Sequence, residues 1–253
     1  MGIILSSAVS YADTKIVGGL VPIKASNISN EVVAVVDDVH VNIGDVVERG
    51  DRLATLDREY FELQHKLAES EVSLSQAEFN ASKRQLVRIK GLYEKANASV
   101  SQLDDSQRLF EVSKAQLKVA IAKRDLSQNT LKKTIINAPF DAWVGARYIE
   151  KGQLLNTSTL MFELVDISQL KVVFYLLEND LNLIDKSDFI EVSIPVLNEF
   201  TLNAKIEHIA PQQSSIQPGY RIEAIIDNNE FKLRPGFTAR IRLPDTEQEL
   251  VGE

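Results

Sequence analysis

Residues 88–103 read Arg88-Ile-Lys-Gly-Leu92-Tyr-Glu-Lys-Ala-Asn-Ala-Ser99-Val-Ser-Gln-Leu103, a short polar break set between two long amphipathic segments. From Leu56 to Leu131 there is no proline, and Gly91 is the single glycine. Two uninterrupted amphipathic runs around one polar break predict an antiparallel helical hairpin over residues 57–131. Ser99 followed three residues later by Gln102 has the form of a capping box, so Ser99 is expected to start the second helix.

On the rising segment, Tyr60, Leu63, Leu67, Ser70, Leu74, Ala77 and Ala81 recur at alternating spacings of three and four. That is a heptad seam, and its partly small members would let a partner helix come close. The descending segment offers Leu103, Phe110, Val112, Leu117, Ile121 and Leu126 with a looser period. Arms of ~30–38 residues would extend roughly 45–55 Å at the α-helical rise. That is too long for one globular core, so the hairpin is expected to project or to pack against copies of itself.

Outside the hairpin the pattern is β. Between Ile16 and Leu56, short valine-rich runs are separated by turns, and Gly44-Asp45 and Gly50-Asp51 form a repeated turn device six residues apart. Glycine permits a positive φ there, and aspartate can bond back to its own backbone. After the hairpin, Thr134-Ile-Ile-Asn-Ala-Pro139-Phe-Asp-Ala-Trp143-Val-Gly145 and the turn at Gly152-Gln153 repeat the strand–turn–strand pattern. Each half has too few strands to bury a face alone. The expectation is therefore one split β-sandwich, residues 16–56 and 132–168, with the hairpin inserted and its two ends side by side. Alternating apolar residues from Leu170 to Leu243, with turns at Asn228-Asn229 and Pro235-Gly236, predict a small β-barrel over 169–243. A short helix is expected near Glu178 to Ile184. The predicted fold class is thus α+β, elongated and multidomain.

At 253 residues, with 44% hydrophobic and 25% charged residues, the composition is that of a folded protein. A net charge of −8 argues against nucleic acid as a partner. Cysteine is absent, and the three histidines are scattered. The sequence therefore predicts no catalytic residues, no cofactor and no resident metal, and no enzymatic activity. Asp37-Asp38 and Asp104-Asp105 are taken as solvated or turn residues. No apolar window is long enough to span a membrane. Residues 1–15 fit a signal-sequence remnant, with Ser10-Tyr11-Ala12 ahead of Asp13, or a flexible N-terminus. Residues 244–253 are expected to be a disordered acidic tail.

The order of these segments resembles the periplasmic adaptors, or membrane fusion proteins, of Gram-negative tripartite efflux pumps of the resistance–nodulation–division (RND) type. Gly44-Asp45-x-Val47-x-x-Gly50-Asp51-x-Leu53-x-x-Leu56-Asp57 resembles the family's first lipoyl-like half. Ile136-x-Ala138-Pro139-Phe140-Asp141 with Gly152-Gln153 resembles the second, and Asn228 to Phe237 resembles a late pair of barrel strands. Arg88, Leu92 and Ser99 match the spacing with which such adaptors dock onto a TolC-type outer-membrane channel.

The resemblance implies a non-enzymatic periplasmic subunit. It would assemble as a homo-oligomer, a hexamer by analogy, between that channel and an inner-membrane transporter of the RND class. Folding alone also offers roles for two of the docking residues, a cap for Ser99 and packing across the turn for Leu92. Arg88 has the least to do in folding. In two respects the chain departs from the family pattern. No full membrane-proximal domain is expected from its ends, and Ala142 stands where glycine is common. An adaptor for an ATP-driven or type I secretion exporter is a second reading. A biotinyl or lipoyl carrier is a third, weakened because the hairpin occupies the position where an acceptor lysine would sit.

Overall fold

The computed structural model describes residues 16–198, 200–215 and 217–243. The expectations for residues 1–15 and 244–253 lie outside the described residues. In chain order the elements begin with β1 (Ile16–Ser29), β2 (Ala34–Val39), β3 (Val46–Val47) and β4 (Arg52–Leu56). Two long helices follow, α1 (Glu59–Glu94) and α2 (Val100–Lys132). Next come β5 (Ile135–Asn137), β6 (Ala142–Arg147), β7 (Leu154–Leu155) and β8 (Leu160–Leu176). The short α3 (Glu178–Leu181) leads to β9 (Phe189–Ile194), β10 (Phe200–Gln213), β11 (Tyr220–Asp227) and β12 (Thr238–Arg242). The chain divides into two compact units, Asn27–Glu163 and the described parts of Met1–Ser26 with Leu164–Glu253. Residues 16–26, which the sequence assigns to the first half of the split sandwich, thus group with the second unit, because Ile16 to Gly19 pair with Thr238 to Ile241 of β12.

In the first unit, β5-β4-β2-β7 form one antiparallel sheet, and β3 pairs with β6. The two chain halves are tied together at the glycine turns. Gly44 and Gly50 have φ of +92° and +97°, where a side chain would be strained. Asp45 accepts a bond from the Asn42 amide (2.7 Å) and Asp51 one from the Glu48 amide (2.8 Å), closing each turn. The backbones of those same turns then bond across to the second half: Gly44 N–H to the Val144 carbonyl and Gly50 N–H to the Ala138 carbonyl, both at 2.8 Å. Gly152-Gln153 repeats the device, with the Gln153 side chain accepting from the Glu150 amide at 3.0 Å. Buried Asn30 finishes the interlock by accepting from the Thr159 amide (3.0 Å) and donating to the Val32 carbonyl (2.7 Å). Val36, Leu53, Leu56, Leu155, Met161 and Phe162 form the core of this unit. Ala142 is buried there too, in β6, opposite Val47.

The helices leave this unit side by side. The Leu56 amide donates to the Thr134 carbonyl at 2.8 Å, and Lys133 is paired with Glu31 at 2.6 Å. Along the helices, His65 meets Ser127, Glu71 meets Lys123, Phe79 stacks on Phe110 and Ser82 meets Ser113. Partner numbers fall on α2 as they rise on α1, so the pair is antiparallel.

The packing seam is not the one the sequence predicts. It is Phe61, His65, Ala68, Val72, Ser75, Phe79, Ser82, Leu86 and Ile89, each buried or half-buried. The predicted stripe from Tyr60 to Ala81 lies on the solvent side, with Leu63, Leu67 and Leu74 at 59%, 73% and 62% exposure. On α2 the seam is Leu103, Ser106, Phe110, Ser113, Leu117, Ala120, Arg124, Ser127 and Leu131, while Val112 and Leu126 point outward. Both stripes obey the same heptad spacing. The chain buries the one whose alanines and serines allow the closer approach of the two backbones.

In the second unit, antiparallel pairings run β1-β12-β9-β10-β11-β8. Alternate residues Leu170, Val172, Phe174 and Leu176 on β8, with Ile222, Ala224 and Ile226 on β11, face one core. Gly18 is required by space: a Cβ there would stand 2.7 Å from the Val173 carbonyl oxygen. Asn228 is buried and organises the loop before β12, donating to the carbonyls of Ile167 (2.8 Å) and Leu233 (2.9 Å) and accepting from the Leu233 amide (3.0 Å).

Candidate functional site: the tip of the helix pair

The tip is a closed turn. After Glu94, Ala96 takes a left-handed conformation with φ of 59°. The Ala96 amide bonds to the Tyr93 carbonyl (2.9 Å) and the Asn97 amide to the Leu92 carbonyl (2.8 Å). This is the Schellman arrangement that satisfies the last carbonyls of a helix, with alanine where glycine is usual. α2 then starts on the predicted capping box. Its two bonds run from the Gln102 amide to Ser99 Oγ at 3.2 Å and from the Ser99 amide to Gln102 Oε1 at 2.9 Å. Both helix ends are therefore satisfied by the turn itself, and the outward side chains are left over from folding.

Arg88 and Leu92 are one turn apart on α1, at the spacing that places two side chains on one face. Arg88 is exposed and hydrogen-bonds through Nη2 to Gln85 on its own helix. Leu92 is 39% exposed, so packing across the turn does not consume it. Ser99 stands at the start of the other helix with its hydroxyl engaged in the cap. The structure thus puts all three at one end of the helix pair, two of them with side chains exposed to solvent and one committed to the turn. Tyr93 and Val100, at 39% and 57% exposure, add apolar surface beside them. The sequence offered no signal for those two beyond adjacency to the break.

The remaining sequence candidates stay peripheral. Asp38 is an exposed partner of Lys151 (3.6 Å), and Asp105 pairs with Arg108 (3.3 Å). Among the described residues, no group of histidine, aspartate and glutamate is placed to hold a metal ion. No described helix is long and apolar enough to cross a membrane.

Comparison with known proteins agrees with this architecture. Residues 24–166, more than half of the chain, match the family model of a CzcB-like barrel-sandwich hybrid domain. Residues 172–247 match that of a CusB-like β-barrel domain. The chain is 25% identical over 245 residues to the nodulation protein NolF of Rhizobium meliloti (strain 1021), covering 94% of this chain and 65% of NolF. It is 25% identical over 250 residues to the multidrug resistance protein MdtA of Photorhabdus laumondii, covering 94% of this chain and 62% of MdtA. It therefore spans less than two thirds of the length of these relatives. Among solved structures, MacA from Actinobacillus actinomycetemcomitans superposes with a TM-score of 0.79 at 21% identity, over 90% of this chain and 76% of MacA. With its barrel-sandwich hybrid and β-barrel domains, the chain belongs to the RND-type family of periplasmic adaptors, the membrane fusion proteins.

Proposed function

We propose that this chain is the adaptor subunit joining an inner-membrane efflux transporter of the RND class to a TolC-type outer-membrane channel, with the tip of its helix pair as the docking element. The observation that carries this reading is the state of the tip. Its backbone is satisfied by the Schellman turn and the capping box, yet Arg88 and Leu92 remain exposed. A guanidinium and an apolar knob on one helix face suit a helical partner, whose grooves take the knob and whose carboxylates or terminal carbonyls accept from the arginine. Ser99 sets the direction of the second helix and lies at the same contact. The adaptor acts mechanically, from the periplasm, as a ring of copies, six by family resemblance. Residues 27–56 and 132–163 serve as the split lipoyl-like sandwich, 57–131 as the coiled hairpin, and 164–243, joined by residues 16–26, as the barrel.

Substitution at the tip tests the proposal. Arg88→Ala with Leu92→Asp should abolish export of the pump's substrate in cells lacking the native adaptor, while the purified variant keeps its helical circular dichroism and melting temperature. Undiminished export by this variant would remove the tip from the docking role.

A further inference from the structure

The second unit carries a cavity of about 530 Å³ on the outer face of its sheet, where β9 enters beside β10. Its floor follows from strand alternation. Ala204 and Ile206 of β10 and Ile190 of β9 are buried, so Lys205 and Phe189 face outward, opposite each other across the two strands. Ile225 of β11 is the neighbour of Lys205 on the other side, and it faces outward between buried Ala224 and Ile226. A lysine therefore stands between an aromatic and an aliphatic side chain, and Phe189 is 63% exposed.

Two local features raise walls around that floor. The turn Asp185–Asp188 is laid against β10: the Ser187 amide donates to the Ile206 carbonyl (3.0 Å) and the Ile206 amide to the Asp188 carbonyl (2.8 Å). It repeats the device of the glycine turns, with Asp188 accepting from the Asp185 amide at 2.6 Å. Here, however, Ser187 takes the left-handed position (φ of 85°) that Gly44 and Gly50 fill in theirs. Glycine would adopt that conformation more easily, whereas serine adds a hydroxyl to the cavity lining next to Lys186. Against β11, the register of β10 shifts between Ile206 and His208, a bulge that leaves both Glu207 and His208 at the surface of the cavity.

Other cations of this unit have carboxylates to meet: Lys171 and Arg221 share Glu223, at 3.3 and 2.8 Å, and Arg242 meets Glu191 at 3.5 Å. Lys186 and Lys205 are exposed and form no ion pair among the described residues. Of the two carboxylates in the lining, Asp227 accepts from the Gln169 amide (2.7 Å), which leaves Glu207. We propose that this cavity binds an organic anion, its carboxylate or phosphate head held by Lys186 and Lys205 and its apolar body covering Phe189 and Ile225. Lysine ammonium groups only donate, so an anionic acceptor is what the pair takes, and the apolar floor gains from being covered. Glu207 opposes the ligand's charge and limits the affinity. A soluble amphiphile and the head group of an anionic lipid present the same chemistry. The site lies in the barrel unit and stands without the docking reading.

Octyl phosphate, added to the full chain below its micelle concentration and followed by amide NMR, should shift the resonances of residues 186–189 and 205–208. Inorganic phosphate, which lacks the body, and octyl glucoside, which lacks the charge, should each bind at least tenfold more weakly. Lys186→Gln with Lys205→Gln should weaken octyl phosphate at least tenfold, and Phe189→Ser at least threefold, with circular dichroism unchanged because all three side chains are exposed. Glu207→Gln should tighten it. Sedimentation of the parent, but not of the double lysine variant, with vesicles containing phosphatidylglycerol would support the site and assign its ligand to lipid. A parent that stays in solution with those vesicles yet binds octyl phosphate would assign a soluble amphiphile. Binding of octyl phosphate that survives the double lysine substitution would overturn the proposal, as would equal binding of octyl glucoside or of inorganic phosphate.

Discussion

Ser82 on α1 and Ser113 on α2 touch through their hydroxyls, Oγ to Oγ at 2.5 Å, in the buried middle of the helix pair. Each hydroxyl is also within bonding distance of its own helix, Ser82 to the Phe79 carbonyl and Ser113 to the Phe110 carbonyl, both at 2.9 Å. Two protons cannot serve three bonds at once, so the contact is a close fit more than a strong polar link. The double variant Ser82→Ala with Ser113→Ala should fall within about 1 kcal/mol of the parent in denaturant unfolding. Ser82→Leu, which must push the helices apart, should cost ~1–3 kcal/mol as an overpacked core does. A strongly destabilised double alanine variant would show that the hydroxyl pair holds the helices by bonding.

Ala96 occupies the left-handed position of the tip turn, a conformation that costs an L-residue with a Cβ roughly 1 kcal/mol relative to glycine. Ala96→Gly should therefore leave the helix pair as stable or up to ~1 kcal/mol more stable, the gain being reduced by the extra freedom of glycine when unfolded. Thermal melting followed at a helical wavelength checks the sign.

Ser99→Ala removes one half of the capping box and should lower stability by ~1 kcal/mol. Replacement by Asp, which can accept the same Gln102 amide and favours a helix start, should restore the loss. Measuring export beside melting separates the two roles: a variant that melts normally but exports poorly would assign Ser99 to the partner contact as well.

Asn228→Ala strips three hydrogen bonds from a buried loop and leaves the Leu233 amide and two carbonyls without that partner. A loss of ~2–4 kcal/mol is expected, since each buried polar group left unsatisfied costs about 1–3 kcal/mol. Unfolding followed in a fragment-free full chain should show it as an earlier transition, with α-helical signal retained.

How far these features can be read from residue order differs between elements. Gly44-Asp45, Gly50-Asp51 and Gly152-Gln153 announce their turns because the conformational need and the side-chain acceptor are both local. The capping box is legible for the same reason. The helix seam is not, because residues 60–81 and 61–89 share one spacing and hydrophobicity points to the wrong one. Leucines at 63, 67 and 74 outbid serines at 75 and 82 on any apolar scale, yet interhelical distance favours the serines. The long β1 is equally hidden. Gly18-Gly19 interrupts any alternation, and only the approach of Gly18 to the Val173 carbonyl explains why no side chain stands there.

The bond between the Leu56 amide and the Thr134 carbonyl has an architectural corollary. Because both arms start from that one junction and keep step along a seven-residue repeat, matched heptads can be cut from or spliced into each arm without disturbing the foundation or the tip. Reach then changes in increments of about 10 Å. The reach of the helix pair becomes an adjustable dimension, set by counting repeats and independent of the chemistry at either end.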